Sequence, residues 1–278
     1  MGEREPLRRR RESAPSMARP SAGDPVRHTR VSKRIYHVVY RLSASAAAYL
    51  YRATAGRPVF AAGHDVYLTP QSAPNAVKIL PPPPGYDSVA FLQDKAIYQS
   101  TGAVYDAKRV EQAARDGNYK AILELFSPAF GMPISEAATP AIYRLLSNMM
   151  ADSHNPTLRS AKHHYMRQRP FVFYHGQTCT PQYDKEMADS GSYPSGHATL
   201  GWAVALVLAE INPARQDALL QRGYQFGQSR VICGAHWQSD VDQGRLLGSA
   251  FVASLHAQPQ FERDLAAAKA EFARLQRR

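Results

Sequence analysis

Apolar residues recur every three or four positions through most of the chain after Gly85, which is the spacing of one face of an α-helix. No stretch alternates apolar and polar residues as a half-buried strand would, and the sequence contains no Asn-Gly turn of the kind that closes a hairpin. The pattern therefore predicts an all-α protein whose main body is a single-domain helical bundle. The predicted helices cover residues 89–98, 121–126, 140–150, 156–169, 197–212, 214–232, 240–256 and 258–277.

Capping residues support several of these helix boundaries. Asp87 or Ser88 is expected to begin the first helix, and Thr139 to begin the third. Pro170 is expected to end the helix over 156–169, because a proline disfavours helical backbone at the residue before it.

The two most apolar segments are Thr199–Ala209 and Leu246–Leu255. Both are shorter than the roughly 18 uncharged apolar residues that a membrane span needs. We therefore expect two buried core helices in a soluble protein without an integral membrane segment.

The composition is that of an ordinary globular protein rather than a fibrous, disordered or disulfide-built one. The chain has 278 residues, 44% of them hydrophobic, and only 2 cysteines, so it can bury a core without a disulfide framework. The net charge of +11 is concentrated at one end: residues 1–65 carry 13 Lys and Arg against 5 Asp and Glu, whereas residues 66–278 carry 21 against 18. A nearly balanced main body does not predict a broad nucleic-acid-binding face.

Residues 1–65 are expected to form a disordered, basic leader ahead of a domain that spans 66–278. The leader begins with an Arg-, Pro- and Ser-rich stretch without apolar periodicity. Four basic residues then precede the uncharged segment 42–51 and the small residues 53–55, which is the order of a secretory signal and predicts a periplasmic or secreted protein. A transit-like or merely disordered extension is the alternative. The prolines at 81–84 are expected to separate the leader from the helical body.

Three separated segments carry side chains suited to binding an anion. In the first, Lys162 and Arg169 are seven residues apart, so a continuous helix would place both cations on one face. His163 and His164 lie off that face and are expected at the surface. The pair of cations alone is also consistent with a basic helix whose charges face solvent.

The second segment runs from Gly191 to His197 and is a small-residue turn that leads into an apolar helix. Ser195 and Gly196 stand where the N–H groups of a first helical turn have no intrahelical partner, so this turn is a candidate anion site with His197 at its mouth. The alternative is a serine N-cap followed by an incidental histidine.

The third segment contains Ser229 and Arg230, followed by His236 and Asp240. His236 and Asp240 are four residues apart, a spacing at which a carboxylate can orient an imidazole. Arg230 and His236 would not share a face of one straight helix, so a break is expected at Gly234. A capped helix with a surface His-Asp pair is the alternative.

Together the segments supply three cations, a helix terminus, two histidines and a carboxylate, which suits metal-free phosphoryl transfer. Lys-x6-Arg-Pro at 162–170, Pro-Ser-Gly-His at 194–197 and Ser-Arg-x5-His-x3-Asp at 229–240 are the three-part signature of the type 2 phosphatidic acid phosphatase superfamily. From about residue 80 onward the chain most resembles the bacterial class A non-specific acid phosphatases.

This resemblance implies a helical bundle of the phosphatidic acid phosphatase and haloperoxidase kind that hydrolyses small phosphomonoesters without a cofactor or metal. It implies that His236 attacks phosphorus to form a phosphohistidine, that Asp240 fixes the tautomer of His236, and that His197 acts as general acid and then base. Phosphate transfer to alcohols and a homo-oligomeric state are further expectations. The residues expected to hold the phosphoryl oxygens are Lys162, Arg169 and Arg230, with the backbone N–H groups around Ser195 and Gly196.

The chain departs from the family pattern in its long leader and at Ala198, where that family usually has Thr. The missing hydroxyl is expected beside the phosphate and should tune activity rather than abolish it. Cys179 and Cys233 could pair if the protein is exported, and two buried thiols are equally consistent with the sequence.

A vanadium-dependent haloperoxidase is the closest alternative, because vanadate resembles phosphate in shape. The short chain and the longer acid-phosphatase strings favour the phosphatase. A nucleic-acid-binding protein acting through the basic leader is an alternative from another class.

Overall fold

The computed structural model describes residues 66–277, and within them it is built of helices without a strand. The predicted all-α fold is confirmed, whereas the predictions for residues 1–65 lie outside the described residues. The helices are α1 (Ala76–Ile79), α2 (Val89–Val104), α3 (Ala107–Asp116), α4 (Ile122–Phe130), α5 (Pro140–Asp152), α6 (Ser160–Tyr165), α7 (Pro170–Phe173), α8 (Asp184–Ala188), α9 (Gly196–Ile211), α10 (Gln216–Ile232), α11 (Gln238–His256) and α12 (Pro259–Gln276).

Helix α9 forms the centre of the bundle. Its sequence is apolar on all sides, which is typical of a helix surrounded by protein, and 10 of its 16 residues are buried. α10 and α11 pack along α9, while α12 packs on α5 and α3 packs on α10. The core helix predicted at Thr199–Ala209 is thus confirmed. None of the described helices, α9 included, is long and apolar enough to cross a membrane.

A glycine lets α11 approach the start of α9 closely. A Cβ atom at Gly244 would lie 2.7 Å from the carbonyl oxygen of Ser195, closer than non-bonded atoms approach each other. Any side chain there would push α11 away from α9. Gly244 therefore sets the distance between two helices whose N-terminal ends both carry predicted site residues.

The residues just before the proline run belong to the bundle. The backbone N–H groups of Tyr67 and Leu68 donate to the carboxylate of Asp152 at 2.9 and 3.0 Å, and the Tyr67 hydroxyl donates to Asp264 at 2.8 Å. The expectation that the prolines at 81–84 separate a leader from the body is wrong, because the chain is already anchored to α5 and α12 before it reaches them.

The N-caps of α2 and α5 differ in how well the sequence predicted them. Ser88 caps α2 as one of the two predicted residues. Thr139 stands at the N-cap position of α5, but its side chain makes no capping hydrogen bond. Glu271 on α12 accepts from the backbone N–H groups of Ala141 and Ile142 instead, at 3.1 and 3.0 Å. A carboxylate from the far end of the chain thus replaces the predicted local cap.

Cys179 and Cys233 form a disulfide, which decides between the two states that the sequence allowed. The half-cystines are 54 residues apart and join the segment after α7 to the end of α10. The bond therefore ties together two parts of the chain that flank the predicted site.

We expect loss of this disulfide to lower the free energy of unfolding by on the order of 4 kcal/mol, because the unfolded chain is no longer restrained by a closed loop of this length. Urea denaturation of the double variant Cys179→Ser/Cys233→Ser against the oxidised protein measures the difference. Wild-type protein in reductant should match the double variant. Equal stability of oxidised and reduced protein would contradict the expectation.

Candidate active site

The three chemically distinctive segments meet at one cavity of about 520 Å³. Its walls come from the end of α3, the start of α9, the end of α10 and the segment around α6. The two histidines predicted to act together line this same cavity. The predicted site residues that line it are Lys162, Arg169, Gly196, His197, Arg230 and His236.

Lys162 and Arg169 reach the cavity by a different route from the predicted one. α6 contains only six residues and ends where Met166 adopts left-handed backbone with φ of 42°. The predicted helix over 156–169 is therefore wrong in length, and the two cations do not share a helix face. Arg169 lies in extended backbone directly before α7, so Pro170 begins a helix. The expectation that Pro170 ends the preceding helix is wrong, because α6 already ends at Tyr165.

Lys162 and Arg169 nevertheless lie close together, because both contact the same backbone carbonyl group, that of Gly191. Lys162 Nζ and Arg169 Nη2 lie 2.9 and 3.4 Å from the carbonyl oxygen of Gly191. Burial, reinforced by the charge of Arg169, holds the pKa of Lys162 well below its usual range. His163 and His164 are exposed, as expected.

Arg169 is a buried guanidinium held by hydrogen bonds on each of its nitrogens. Nε donates to the carbonyl oxygen of Met187 at 2.8 Å, and Nη2 donates to the Ser190 hydroxyl at 3.0 Å. Nη1 lies 3.0 Å from both the Ala235 carbonyl oxygen and Nε2 of His236. Burial lowers the pKa of Arg169 to about 10, so the group stays cationic at neutral pH.

Arg230 differs from Arg169 because most of its donors have no acceptor. The residue is 2% exposed, and its Nε and Nη1 atoms have no hydrogen-bond partner within residues 66–277. Nη2 contacts the sulfur of Met187 at 3.4 Å. Burial lowers the pKa of Arg230 to about 10. Since a buried charged donor without an acceptor is costly, this guanidinium is suited to bind an oxyanion.

The predicted break at Gly234 is confirmed. Gly234 has φ of 73°, a left-handed conformation that glycine adopts without strain. The turn ends α10 and folds the chain back, so that the N–H group of His236 donates to the carbonyl oxygen of Arg230 at 3.2 Å. It thus brings both side chains to the cavity.

The start of α9 matches the prediction only in part. Ser195 is the N-cap, and its hydroxyl accepts from the backbone N–H of Ala198 at 3.3 Å. The N–H group of Ser195 itself donates to the carbonyl oxygen of Asp240 at 2.9 Å. The prediction that this N–H holds an anion is wrong, because its hydrogen bond ties α9 to α11. Gly196, the first residue of α9, does line the cavity.

The expectation that residue 198 lies beside the phosphate is also wrong. Ala198 is fully buried and packs in a small apolar cluster with Val231 and Val241. Its methyl group faces neighbouring helices rather than the cavity. A hydroxyl at this position would therefore alter helix packing and not the anion site.

His197 is held between two aromatic rings. Its ring stacks on Phe226 with centroids 6.1 Å apart and meets Tyr119 edge-on at 5.4 Å. Nε2 lies 3.2 Å from the carbonyl oxygen of Gly117. Because a carbonyl can only accept, Nε2 carries the proton, and Nδ1 is the nitrogen whose protonation can change. Burial and the charge of Arg230 hold the pKa of His197 well below its usual range.

His236 is held in one tautomer by its neighbours. Nε2 faces a nitrogen of Arg169 at 3.0 Å, and because a guanidinium only donates, Nε2 is unprotonated and Nδ1 carries the proton. Nδ1 lies 3.3 Å from Ser192 Oγ and 3.5 Å from Asp240 Oδ2. Burial, followed by the charge of Arg169, holds the pKa of His236 well below its usual range. The neutral imidazole thus keeps a lone pair among the cations.

Ser192 is a site residue that the sequence analysis passed over. Its hydroxyl donates to Asp240 Oδ2 in a short hydrogen bond and can accept from His236. It therefore bridges the carboxylate and the imidazole that were predicted to pair directly. The sequence feature that could have indicated Ser192 is its position in the same turn as Ser195. The sequence analysis assigned a role only to Ser195, which is nearer to the helix.

The described residues bring no three His, Cys, Asp or Glu side chains close enough together to hold a metal ion. The predicted cations Lys162, Arg169 and Arg230 and the imidazoles of His197 and His236 line the cavity instead, with the Asp240 carboxylate behind His236. This set can bind a tetrahedral oxyanion, present a nucleophilic nitrogen to it and exchange a proton with it.

Comparisons with known proteins agree with this chemistry. A family model described as the PAP2 superfamily matches residues 138–264, which include all three segments. A non-specific acid phosphatase of Providencia stuartii is 48% identical over 231 residues, covering 79% of this chain and 93% of that protein. A non-specific acid phosphatase of Salmonella typhimurium is 42% identical over 74% of this chain and 83% of its own length. An acid phosphatase of Zymomonas mobilis is 37% identical over 69% and 73%.

Proposed function

The chain belongs to the PAP2 superfamily and groups with its bacterial non-specific acid phosphatases. From this premise we propose that it hydrolyses phosphomonoesters, with His236 as the nucleophile and His197 as the general acid and base. The observation that carries the proposal is the convergence of three cations and two imidazoles on one cavity. Within the described part of the chain, two nitrogens of Arg230 have no acceptor there. A phosphoryl group supplies the negative charge and the acceptors that complement this cavity.

Binding is by charge and by fixed donors. The phosphoryl oxygens accept hydrogen bonds from Arg230 and Lys162, and from the Arg169 Nη1 proton that otherwise lies on His236 Nε2. Transfer of that hydrogen bond to the phosphoryl group frees the Nε2 lone pair, and the N–H groups at the positive end of α9 after Ser195 add to the field. Because protein contacts already hold these groups in place, charge that builds on the oxygens in the transition state is stabilised without reorganisation.

Two displacements at phosphorus follow. Nε2 of His236 attacks opposite the leaving oxygen, so that a P–N bond forms as the P–O bond breaks, and His197 donates a proton to the departing alkoxide. Asp240 stabilises the positive charge on the phosphohistidine. Water then attacks phosphorus and gives a proton to His197, the P–N electrons return to Nε2, and orthophosphate leaves. An alcohol in place of water gives a new phosphomonoester, which is a phosphotransferase side activity.

The pKa of His197 accounts for activity at acidic pH. Its surroundings hold that pKa well below the usual range, and the negative charge of a bound phosphoryl group raises it again. The general acid is therefore protonated toward acidic pH, and turnover falls as pH rises through the pKa of His197 in the complex. His236 remains neutral, as a nucleophile requires, because burial and Arg169 lower its pKa.

Hydrolysis of an aryl phosphate in excess chelator tests the proposal. We expect turnover to persist, with orthophosphate and vanadate as competitive inhibitors. Loss of turnover in chelator would contradict the metal-free mechanism. Halide oxidation with vanadate and peroxide, without hydrolysis, would support the haloperoxidase alternative instead.

We expect Arg230→Lys to weaken inhibition by orthophosphate about 10- to 100-fold. The lysine keeps the charge but loses the fork of donors, and a hydrogen bond to a charged group contributes about 1.5–3 kcal/mol. The inhibition constant at one pH measures the effect. Arg245→Lys is the control, because Arg245 pairs with Asp242 on α11 and does not line the cavity. An unchanged inhibition constant in Arg230→Lys would contradict the proposed role.

We also propose that the protein is periplasmic or secreted and forms a homo-oligomer. The disulfide between Cys179 and Cys233 supports export, because disulfides persist in oxidising compartments.

Deletion of residues 1–65 should leave hydrolysis intact and should abolish any nucleic-acid binding by the basic leader. Cell fractionation and light scattering of the purified enzyme test the location and the oligomeric state.

A further inference from the structure

A buried guanidinium at an unspecified position of the Lys-x6-Arg-Pro segment lies behind the carboxylate that faces the nucleophile. Arg167 is 5% exposed and is placed between two carboxylates. Its Nη1 donates to Asp240 Oδ1 at 2.6 Å, and its Nη2 donates to Asp94 Oδ2 at 2.8 Å. Replacing buried ion pairs by apolar residues is often neutral or stabilising. Stability alone therefore does not explain one buried cation between two buried anions.

The contact with Arg167 completes the immobilisation of the Asp240 carboxylate. Oδ2 accepts from the backbone N–H of Trp237 at 2.9 Å and from the Ser192 hydroxyl, and it lies 3.5 Å from Nδ1 of His236. Oδ1 is held by Arg167. Without that contact the carboxylate could turn about its Cβ–Cγ bond, and Oδ2 would no longer point at the group that orients the nucleophile.

Asp94 anchors the other end of the network to α2. Its Oδ2 also accepts from Ser239 Oγ at 2.6 Å, and its Oδ1 accepts from the Ser239 N–H in the first turn of α11 at 2.9 Å. The rings of Phe91 and Trp237 lie 5.8 and 5.6 Å from the guanidinium carbon of Arg167, within the range of a cation–π contact. Arg167 is thus clamped by two helices and cannot shift alone.

We propose that Arg167, held by Asp94, is a positioning residue for the nucleophile. It fixes Asp240 and, through Asp240 and Ser192, the direction of the His236 ring. This inference rests on the proposed function of His236. Arg167 itself does not line the cavity and acts through Asp240. Attack on phosphorus places positive charge on the imidazole, and a carboxylate stabilises that charge fully only when it is held in line.

The test uses two conservative variants, Arg167→Lys and Asp94→Asn. Lysine keeps the charge but cannot bridge both carboxylates, and asparagine keeps the shape of Asp94 but weakens its hold on Arg167. We expect kcat for an aryl phosphate to fall about 10- to 100-fold, the size of effect that misplacement by about 1 Å produces. The inhibition constant of orthophosphate should stay at the wild-type value, because Lys162, Arg169 and Arg230 are untouched.

Glu271→Gln is the matched control. Glu271 is a buried carboxylate that caps α5 from α12, so its loss lowers stability without touching the network. We expect this control to lower the melting temperature and to leave kcat at the wild-type value. Wild-type kcat in folded Asp94→Asn and Arg167→Lys would overturn the positioning role. An equal loss of kcat and of orthophosphate affinity would overturn it as well.

Nitrogen NMR of the imidazole of His236 gives a readout that a merely structural role would not move. The wild type should show the Nδ1-protonated tautomer, and Arg167→Lys should keep it, because Arg169 still donates to Nε2. The Nδ1 resonance should move in Arg167→Lys, because Asp240 is no longer held against it; an unchanged spectrum would overturn the inference. These assays also distinguish failure of the proposed function from failure of the positioning role of Arg167. An inactive wild type would contradict the proposed function, whereas an active wild type with fully active variants would contradict only the role of Arg167.

Discussion

We expect replacement of His236 by alanine to lower kcat by at least about 10³-fold, equivalent to about 4 kcal/mol of transition-state stabilisation. The imidazole lines the cavity with Lys162, Arg169 and Arg230 and presents an unprotonated Nε2 to Arg169. Since the proposed P–N bond cannot form without this nitrogen, both displacements are lost.

Steady-state hydrolysis and rapid alkaline quenching together measure this effect. Quenched wild-type enzyme should carry phosphate on the peptide that contains His236, because phosphohistidine survives base, and His236→Ala should carry none. His163→Ala, an exposed histidine on α6, should behave as wild type. Substantial turnover by His236→Ala, or phosphate trapped on a different residue, would contradict the nucleophilic role.

We expect replacement of His197 by alanine to slow hydrolysis to an extent that depends on the leaving group of the substrate. General acid catalysis contributes about 10²- to 10⁴-fold when the leaving group needs a proton, so alkyl phosphates should lose activity by that factor. Aryl phosphates with acidic phenols should lose far less, because the phenolate leaves without a proton. Binding should be little affected, since the cations that hold the phosphoryl group remain.

The pH profile gives a second measurement of the same role. In wild type, kcat for an alkyl phosphate should fall as pH rises through the pKa of His197 in the complex, and this decline should be absent in His197→Ala. His164→Ala, whose exposed ring lies beside Tyr165, should keep the wild-type profile. Equal losses on alkyl and aryl phosphates would show that His197 is not the general acid.

The long helices were predictable because a single helix face repeats along their sequences. α9, α10, α11 and α12 all lie within a few residues of their predicted bounds. α3 was not predicted, although its end supplies the Gly117 carbonyl that orients His197. Its sequence is mostly polar and its apolar face consists of alanines and Val110, without the large apolar residues that marked the other helices. Its position therefore depends on packing against α10.

Exposure on α2 shows a limit of the apolar pattern. Phe91 is buried as expected, but Val89 and Leu92 of the same helix are 82% and 54% exposed. Periodicity marks residues that can be buried, whereas the neighbours available in the fold decide which of them are. Asp94 on this helix is buried because Arg167 pairs with it, and no local pattern could indicate that.

The sequence by itself determined the helical period, the break at Gly234 and the inventory of cations and imidazoles. Each of these is a property of residue type and short spacing, so it can be read along the chain. The tertiary structure decided that Lys162 and Arg169 converge through a change of chain direction and that the N–H group of Ser195 is taken by Asp240. It also decided that Arg167 is buried behind the nucleophile. These outcomes depend on hydrogen-bond partners 22 to 73 residues away along the chain. Burial requires that such groups find a partner, but the local sequence does not specify which partner it is.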